Sequence, residues 1–161
     1  MAVPQYICIE HERCSGCREC ELACSLHHFG VCNPEKSAIR VTRKEKNGFA
    51  SCLPAVCQQC EPALCLEACG TGAISRETTR GTIAIDSQSC SGCGECAAAC
   101  PAGCIFVDDA SLTAICCDLC GGEPQCVALC HSHCLTHLSD EGAAGTERVE
   151  RLARILKEED F

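Results

Sequence analysis

Cys14, Cys17, Cys20 and Cys24 form a C-x2-C-x2-C-x3-C run, and the same spacing returns at Cys90, Cys93, Cys96 and Cys100, there followed by Pro101. Three thiolates spaced by two residues converge from one loop on a single iron–sulfur cubane. The fourth, three residues further on, turns away toward a second cubane. Zinc takes four ligands, usually as two separated pairs, so four closely spaced cysteines over-supply it. A second run type also occurs twice: Cys57, Cys60, Cys65 and Cys69 as C-x2-C-x4-C-x3-C, and Cys117, Cys120, Cys126 and Cys130 as C-x2-C-x5-C-x3-C. The first and third runs share eight of eleven residues, and the second and fourth share a proline ahead of the third cysteine, Pro62 and Pro124. Two motif types thus alternate in an internal repeat. Their sixteen cysteines suffice for four complete [4Fe-4S] cubanes.

Bulk composition agrees. Of 161 residues 22 are cysteine, so the 47% hydrophobic content overstates the hydrocarbon available. Leu, Ile, Val and Phe together supply 32 residues, near the lower limit for a packed core, and there is no Trp. Inorganic clusters are expected to fill the centre and to couple folding to their binding. A disulfide scaffold needs an oxidising compartment. Residues 1–12 show no basic segment followed by an apolar one, no twin-arginine leader is visible, and no apolar run approaches a membrane span. The expectation is a cytoplasmic, reducing setting with no membrane insertion. The net charge of −9 argues against nucleic acid, whose phosphates need a basic surface.

Six cysteines lie outside the runs: Cys8, Cys32, Cys52, Cys104, Cys116 and Cys134. They read as small buried hydrophobes near the clusters. Cys116 adjoins Cys117, and the spacing favours Cys117 as the ligand. His131, His133, Cys134 and His137 are too crowded for zinc-pair spacing and read as a polar loop beside the last cluster. His27 and His28 read as a solvated helix end. No triad, phosphate loop or dinucleotide fingerprint supports substrate chemistry, so the chain is expected not to be an enzyme by itself.

The elements that must position these cysteines are short. Val3–Ile9 reads as a strand, and Glu19–Phe29 as a helix with Leu22 and Leu26 one turn apart and Gly30 as its stop. Asn33-Pro34 marks a turn. Strands at 38–43 and 49–56 flank the hairpin signal Asn47-Gly48. Pro62 suits the first turn of a helix carrying both Cys65 and Cys69, and Pro124 opens another. Small hairpins are expected from strands at 73–74 and 82–85, and from strands at 104–107 and 112–115. Residues 139–145 read as a linker and 146–158 as an amphipathic helix with Val149, Leu152, Ala153 and Leu156 on one stripe, Ile155 at its edge. That stripe either packs on its own domain or docks on a partner.

Four runs in this order resemble the electron-transfer subunits of complex iron–sulfur molybdenum and tungsten enzymes. That family includes the iron–sulfur subunits of dimethyl sulfoxide reductases, formate dehydrogenases and some hydrogenases. The stretch Val56 to Pro62, with its Cys57-Gln58-Gln59-Cys60, and the stretch Cys117 to Cys126 are similar to small polyferredoxin subunits of tungsten aldehyde oxidoreductases and class II benzoyl-CoA reductases. The likeness spans residues 3–138. It implies an α+β fold of two bacterial-ferredoxin-like dicluster modules, with residues 14–30 and 117–138 forming one half of a 1–138 domain and 57–104 the other. Residues 139–161 form the linker and C-terminal helix.

The resemblance also implies how ligands are shared. Cys14, Cys17, Cys20 and Cys130 hold one cluster, and Cys117, Cys120, Cys126 and Cys24 its neighbour. Cys57, Cys60, Cys65 and Cys100 hold a third, and Cys90, Cys93, Cys96 and Cys69 a fourth. The family's proline after the last cysteine is kept only at Cys100; Ser25, Gly70 and His131 follow Cys24, Cys69 and Cys130. The implied function is single-electron relay through four [4Fe-4S] clusters. The partners are a catalytic molybdenum- or tungsten-pterin oxidoreductase subunit and a flavin subunit or soluble ferredoxin. A free-standing carrier or maturation factor for a hydrogenase or formate dehydrogenase stays open, as does self-association into a longer conductor.

Overall fold

The computed structural model describes residues 5–139 and 145–157. Strand β1 (Gln5–Ile9) leads through a 3-10 turn at His11–Arg13 into the first run, whose last two cysteines lie in helix α1 (Glu19–Phe29). The helix ends as its sequence dictates: Gly30 adopts φ 68° and its N–H donates to the Leu26 carbonyl. Its buried residues are Cys20, Glu21, Ala23, Cys24 and Ser25. Leu22 and Leu26, the expected apolar pair, are exposed at 38% and 53%. The helix is oriented by its sulfurs rather than by its leucines.

A second 3-10 turn (Pro34–Lys36) is capped by the Asn33 side chain, which accepts from the Glu35 N–H. Strands β2 (Arg40–Lys46) and β3 (Phe49–Ala55) then form a hairpin. Asn47 and Gly48, at φ 52° and 81°, supply the two left-handed residues of a type I′ turn. β2 starts two residues later than expected, because Ala38 and Ile39 are buried in the core instead.

Helix α2 (Leu64–Glu67) is shorter than the sequence suggested. Ala63 caps it, leaving Pro62 outside, and Cys69 falls beyond its end. A continuous helix would keep Cys65 and Cys69 on one face. Ending it early frees Cys69 to point elsewhere. Strands β4 (Ile74–Arg76) and β5 (Ile83–Ile85), helix α3 (Glu95–Ala99), strands β6 (Phe106–Asp108) and β7 (Thr113–Ile115), and helix α4 (Gln125–Ala128) follow, with Pro124 at the α4 N-cap. Strand β8 (Leu135–Ser139) replaces the polar loop expected there, and α5 (Gly145–Lys157) closes the described chain. Of the remaining expectations, Val3 and Pro4, most of the linker and Glu158 lie outside the described residues.

Each described strand has one partner, in antiparallel sheets β1–β8, β2–β3, β4–β5 and β6–β7. The β1–β8 pair sets Ile9 opposite Leu135 and Gln5 opposite Ser139, joining the approach to the first run with the exit from the fourth. α1 packs on α4, and α2 on α3. The main core gathers Ile7, Ile39, Val56, Leu119 and Leu135 around run cysteines; a smaller one holds Ile74, Ile83, Ile105 and Ala114 with Cys65 and Cys96.

α5 belongs to the main core. Val149, Leu152 and Ala153 are buried in it, with Leu156 against its edge. Each buried aliphatic side chain of this size contributes about 1.5–3 kcal/mol. The Arg148 guanidinium stacks 3.7 Å from the Tyr6 ring centroid, and Lys44 Nζ donates to the Leu156 carbonyl at 2.7 Å. The stripe thus covers its own domain, which answers the alternative of docking on a partner.

Candidate cluster sites

Two loop glycines shape the first and third runs. Gly16 (φ 72°) and Gly92 (φ 67°) occupy equivalent places in the two C-S-G-C segments. A Cβ on Gly16 would strike the Cys52 sulfur, and one on Gly92 the Leu112 carbonyl oxygen. The shared glycine therefore permits both the left-handed turn and the close approach that wrap the loop around its thiols.

The run cysteines sort into neighbourhoods that cross between runs. Cys57, Cys60, Cys65 and Cys100 line one cavity of about 230 Å³, with Pro101 and Val149 also on its wall. Cys69, Cys90, Cys93 and Cys96 line a second, of about 20 Å³. Elsewhere Cys126 lies in the field of Cys24, Cys120 and Cys20, and Cys117 in that of Cys57, Cys126 and Cys24. Cys20 is influenced by Cys17 and Cys14, and Cys134 stands between Cys130 and Cys14. Cys24, Cys69 and Cys100, the fourth cysteines of three runs, therefore lie among cysteines of another run, and Cys130 is linked to Cys14 of the first run through Cys134.

Backbone N–H groups aim at these sulfurs: Ala38 at Cys24 (3.3 Å), Gln59 at Cys57 (3.4 Å), Cys104 at Cys100 (3.3 Å) and Ala114 at Cys90 (3.5 Å). Burial, then the charges of Cys57, Cys100 and Cys65, pushes the Cys60 thiol up to about 12. Burial and the charges of Cys57 and Cys100 push Cys65 up to about 11. Burial likewise raises Cys20 to about 12, and raises Cys96, Cys117 and Cys126. Four run sulfurs go the other way, Cys57, Cys69, Cys100 and Cys130. A hydrogen bond from Cys104 holds Cys100 down at about 6, and one from Cys116 holds Cys57 below the usual thiol range.

Several thiols crowded into a poorly solvated space resist ionisation until a multivalent cation balances them. All-sulfur surroundings suit soft metals, iron in sulfide clusters among them. The residues present therefore fit [4Fe-4S] clusters. Cys116 and Cys117 differ in their neighbours: the Cys117 thiol lies in the field of Cys57, Cys126 and Cys24, whereas Cys116 is hydrogen-bonded to Cys57 and lies in the field of Cys117 and Cys65.

Buried amides fix these neighbourhoods to one another. Gln59 Nε2 donates to the Cys117 carbonyl at 2.8 Å, while its Oε1 accepts the Ile83 N–H at 2.8 Å. Gln58 Nε2 donates to the Val56 carbonyl at 3.0 Å and lies 3.3 Å from that of Ile7. The Glu21 carboxylate accepts from Arg18 Nε at 2.6 Å and from the Val41 N–H at 2.7 Å, tying α1 to β2. Sequence reasoning missed these roles. The only available hint was that three long polar residues adjoin run cysteines in otherwise apolar surroundings.

The histidines are dispersed. His131 pairs with Glu19 at 3.2 Å, His28 Nε2 lies 3.6 Å from the Cys120 sulfur, and His137 sits in β8 opposite Ile7. Among the described residues no helix is long and apolar enough to cross a membrane.

The chain is similar to known iron–sulfur proteins. Residues 48–141 match the 4Fe-4S dicluster domain. The polyferredoxin-like subunit of an aliphatic sulfonate oxidoreductase from Pyrococcus furiosus is 39% identical over 127 residues, covering 78% of this chain and 71% of its own length. The beta subunit of an NADH-dependent phenylglyoxylate dehydrogenase from Aromatoleum evansii is 30% identical over 133 residues, 83% of this chain but only 30% of that protein. A chain of the active site complex BamBC of benzoyl coenzyme A reductase aligns over 96% of this chain and 90% of its own, at 24% identity and a TM-score of 0.48. A repeat of cysteine runs, matched across more than half its length, places this chain in the 4Fe-4S dicluster family of proteins that carry multiple [4Fe-4S] clusters.

Proposed function

We propose that the chain relays single electrons through four [4Fe-4S] clusters as a subunit of an oxidoreductase complex, doing no substrate chemistry of its own. The observation that carries this reading is the sorting of the run cysteines into neighbourhoods of mixed parentage, two of them each lining one cavity with four run sulfurs, Cys104 adding a fifth sulfur to the larger. The proposed ligand sets are Cys14, Cys17, Cys20 and Cys130; Cys117, Cys120, Cys126 and Cys24; Cys57, Cys60, Cys65 and Cys100; and Cys90, Cys93, Cys96 and Cys69. They divide the 1–138 domain into two dicluster halves, 14–30 with 117–138 and 57–104, and α5 in the 139–161 segment acts as a cover.

Bound clusters supply one-electron redox chemistry. The chain holds the sulfurs fixed, directs N–H donors at them and limits their solvation, which together set the potentials. Cys117 lies in the field of Cys24 and Cys126 from its own set and of Cys57 from another. That supports an order of sets along the wire of first run, fourth, second, third. Cys17 and Cys93, in the two terminal sets, are exposed, so each end opens toward a surface where a partner can dock.

The proposed partners are a tungsten-pterin aldehyde oxidoreductase-type catalytic subunit at one end and a flavin subunit or soluble ferredoxin at the other, in the cytoplasm. The relatives that are subunits of oxidoreductases support a complex. Anaerobic purification from the native host, with metal analysis, tests it. We expect a brown chain with about sixteen irons, four per cubane, co-eluting with a tungsten- or molybdenum-containing subunit. A colourless chain that folds without iron refutes the reading.

One observation favours a second reading, a free-standing carrier or maturation factor. The apolar stripe of α5 is satisfied within the chain, so the helix is not needed as an anchor. Elution of the iron-loaded native protein at the mass of this chain alone supports that reading over the permanent subunit.

A further inference from the structure

Two cysteines outside the runs repeat one geometry. Cys104 follows Cys100 by four residues, and Cys134 follows Cys130 by four. The Cys104 N–H donates to the Cys100 sulfur at 3.3 Å, and its thiol, which donates to the Ala102 carbonyl at 3.5 Å, lies beside the same sulfur on the wall of one cavity. The Cys134 sulfur lies 3.5 Å from that of Cys130, which also accepts the Cys134 N–H, and it reaches Cys14 of the same proposed set. Both are buried, at 5% and 3% exposure. Cys116 makes a third such contact, to Cys57.

Two of the three thiols donate to backbone carbonyls. Cys104 Sγ is 3.5 Å from the Ala102 carbonyl and Cys116 Sγ 3.9 Å from that of Cys117. A metal-bound sulfur is anionic, however, and charge-assisted hydrogen bonds are about twice as strong as neutral ones.

We propose that Cys104, Cys116 and Cys134 are positioning residues whose S–H groups donate to the ligating sulfurs of Cys100, Cys57 and Cys130 and raise the reduction potentials of the clusters held there, an inference that rests on the ligand sets proposed above. Reduction adds one negative charge to a cluster and its sulfurs. A donor aimed at a ligand sulfur stabilises the reduced form more than the oxidised one, which moves the potential up. Cys57 and Cys100 belong to one set, so that cluster has two thiol donors, and the set containing Cys14 and Cys130 has one. The second-run cluster, inside the wire, is thereby favoured as a resting place for an electron.

The test uses the full chain, purified anaerobically, with iron counted alongside an EPR-monitored potentiometric titration. C104A, C116A and C134A are each expected to keep wild-type iron and to move one midpoint to lower potential. C104A and C116A move the same midpoint and their shifts accumulate in the double variant, whereas C134A moves another. C104S and C134S, which retain an O–H donor in similar volume, recover most of the shift. Where alanine prevents folding, valine fills the space without a donor and reads out the same change. Midpoints that stay in place at full iron overturn the proposal and leave the ligand sets standing. Loss of one cluster's iron from a variant makes that cysteine a ligand and overturns both.

Discussion

Replacing Gln59 with leucine removes a side chain that joins the second run, the fourth run and β5. Both of its hydrogen bonds measure 2.8 Å, and the residue is 1% exposed. Leucine fills comparable space but satisfies neither the Cys117 carbonyl nor the Ile83 N–H, and both of those residues are buried. An unmet buried polar group costs about 1–3 kcal/mol, so the pair predicts roughly 2–6 kcal/mol. Water reaching either group moves the result toward the lower end. A loss of about 3 kcal/mol makes local opening on the order of a hundredfold more frequent.

The assay is bleaching of the iron–sulfur absorbance in anaerobic guanidinium, since cluster binding and folding are coupled. Gln59 also sits at φ 51°, where a side chain strains the backbone by about 1–2 kcal/mol. Gln59→Gly should therefore bleach more slowly than Gln59→Ala, although both lose the same hydrogen bonds. Gln59→Leu bleaching within threefold of wild type, or glycine and alanine variants that behave alike, would refute the reasoning.

Ligand sharing makes an epistasis prediction: C57A and C100A each cost one cluster, about four irons, and the double variant costs no more. C90A combined with C100A costs two clusters, and iron analysis separates the cases. Gly92→Ala should lower cluster occupancy more than Gly16→Ala, because the added methyl meets the Leu112 backbone at one site and a movable Cys52 side chain at the other; the comparison is iron per chain after anaerobic reconstitution. A chain ending at Ser139 loses the wall that Val149 and Glu150 give the Cys57, Cys60, Cys65 and Cys100 cavity. It should bleach severalfold faster in air in one quarter of its absorbance, with iron as isolated unchanged; uniform or unaltered bleaching would count against α5 as a cover.

What the sequence revealed was whatever short-range chemistry decides. α1 has the expected bounds because Gly30 supplies its stop, and the β2–β3 turn follows from Asn47-Gly48. β8 was hidden. Its partner is at the opposite end of the chain, and only Leu135 among its residues is buried, so no alternation shows within the tract. The length of α2 was misjudged for a different reason. Helical periodicity places Cys65 and Cys69 together, whereas the backbone turns before Cys69 and delivers it to the cavity of the third run. The fate of the α5 stripe was open because its receiving surface, Ile7 and Val56 among others, is assembled only after distant segments meet.

The buried amides explain how a chain with so little hydrocarbon can hold sulfurs in fixed places. Apolar contacts are non-directional, and cores of the right volume tolerate rearrangement before they lose stability. Twenty-two cysteines packed by that force alone would leave many alternative sulfur groupings close in energy. Hydrogen bonds remove the degeneracy because they fail outside a narrow range of distance and angle. Gln59 ties the backbone of Cys117 to that of Ile83, Gln58 ties the second run to β1, and Glu21 ties α1 to β2. Each joins segments that carry or support cysteines of different runs. Breaking any one of them should thus scramble sulfur partners before it unfolds the chain, and a mixture of cluster types in the EPR spectrum of Glu21→Ala, at wild-type helix content, is the expected signature.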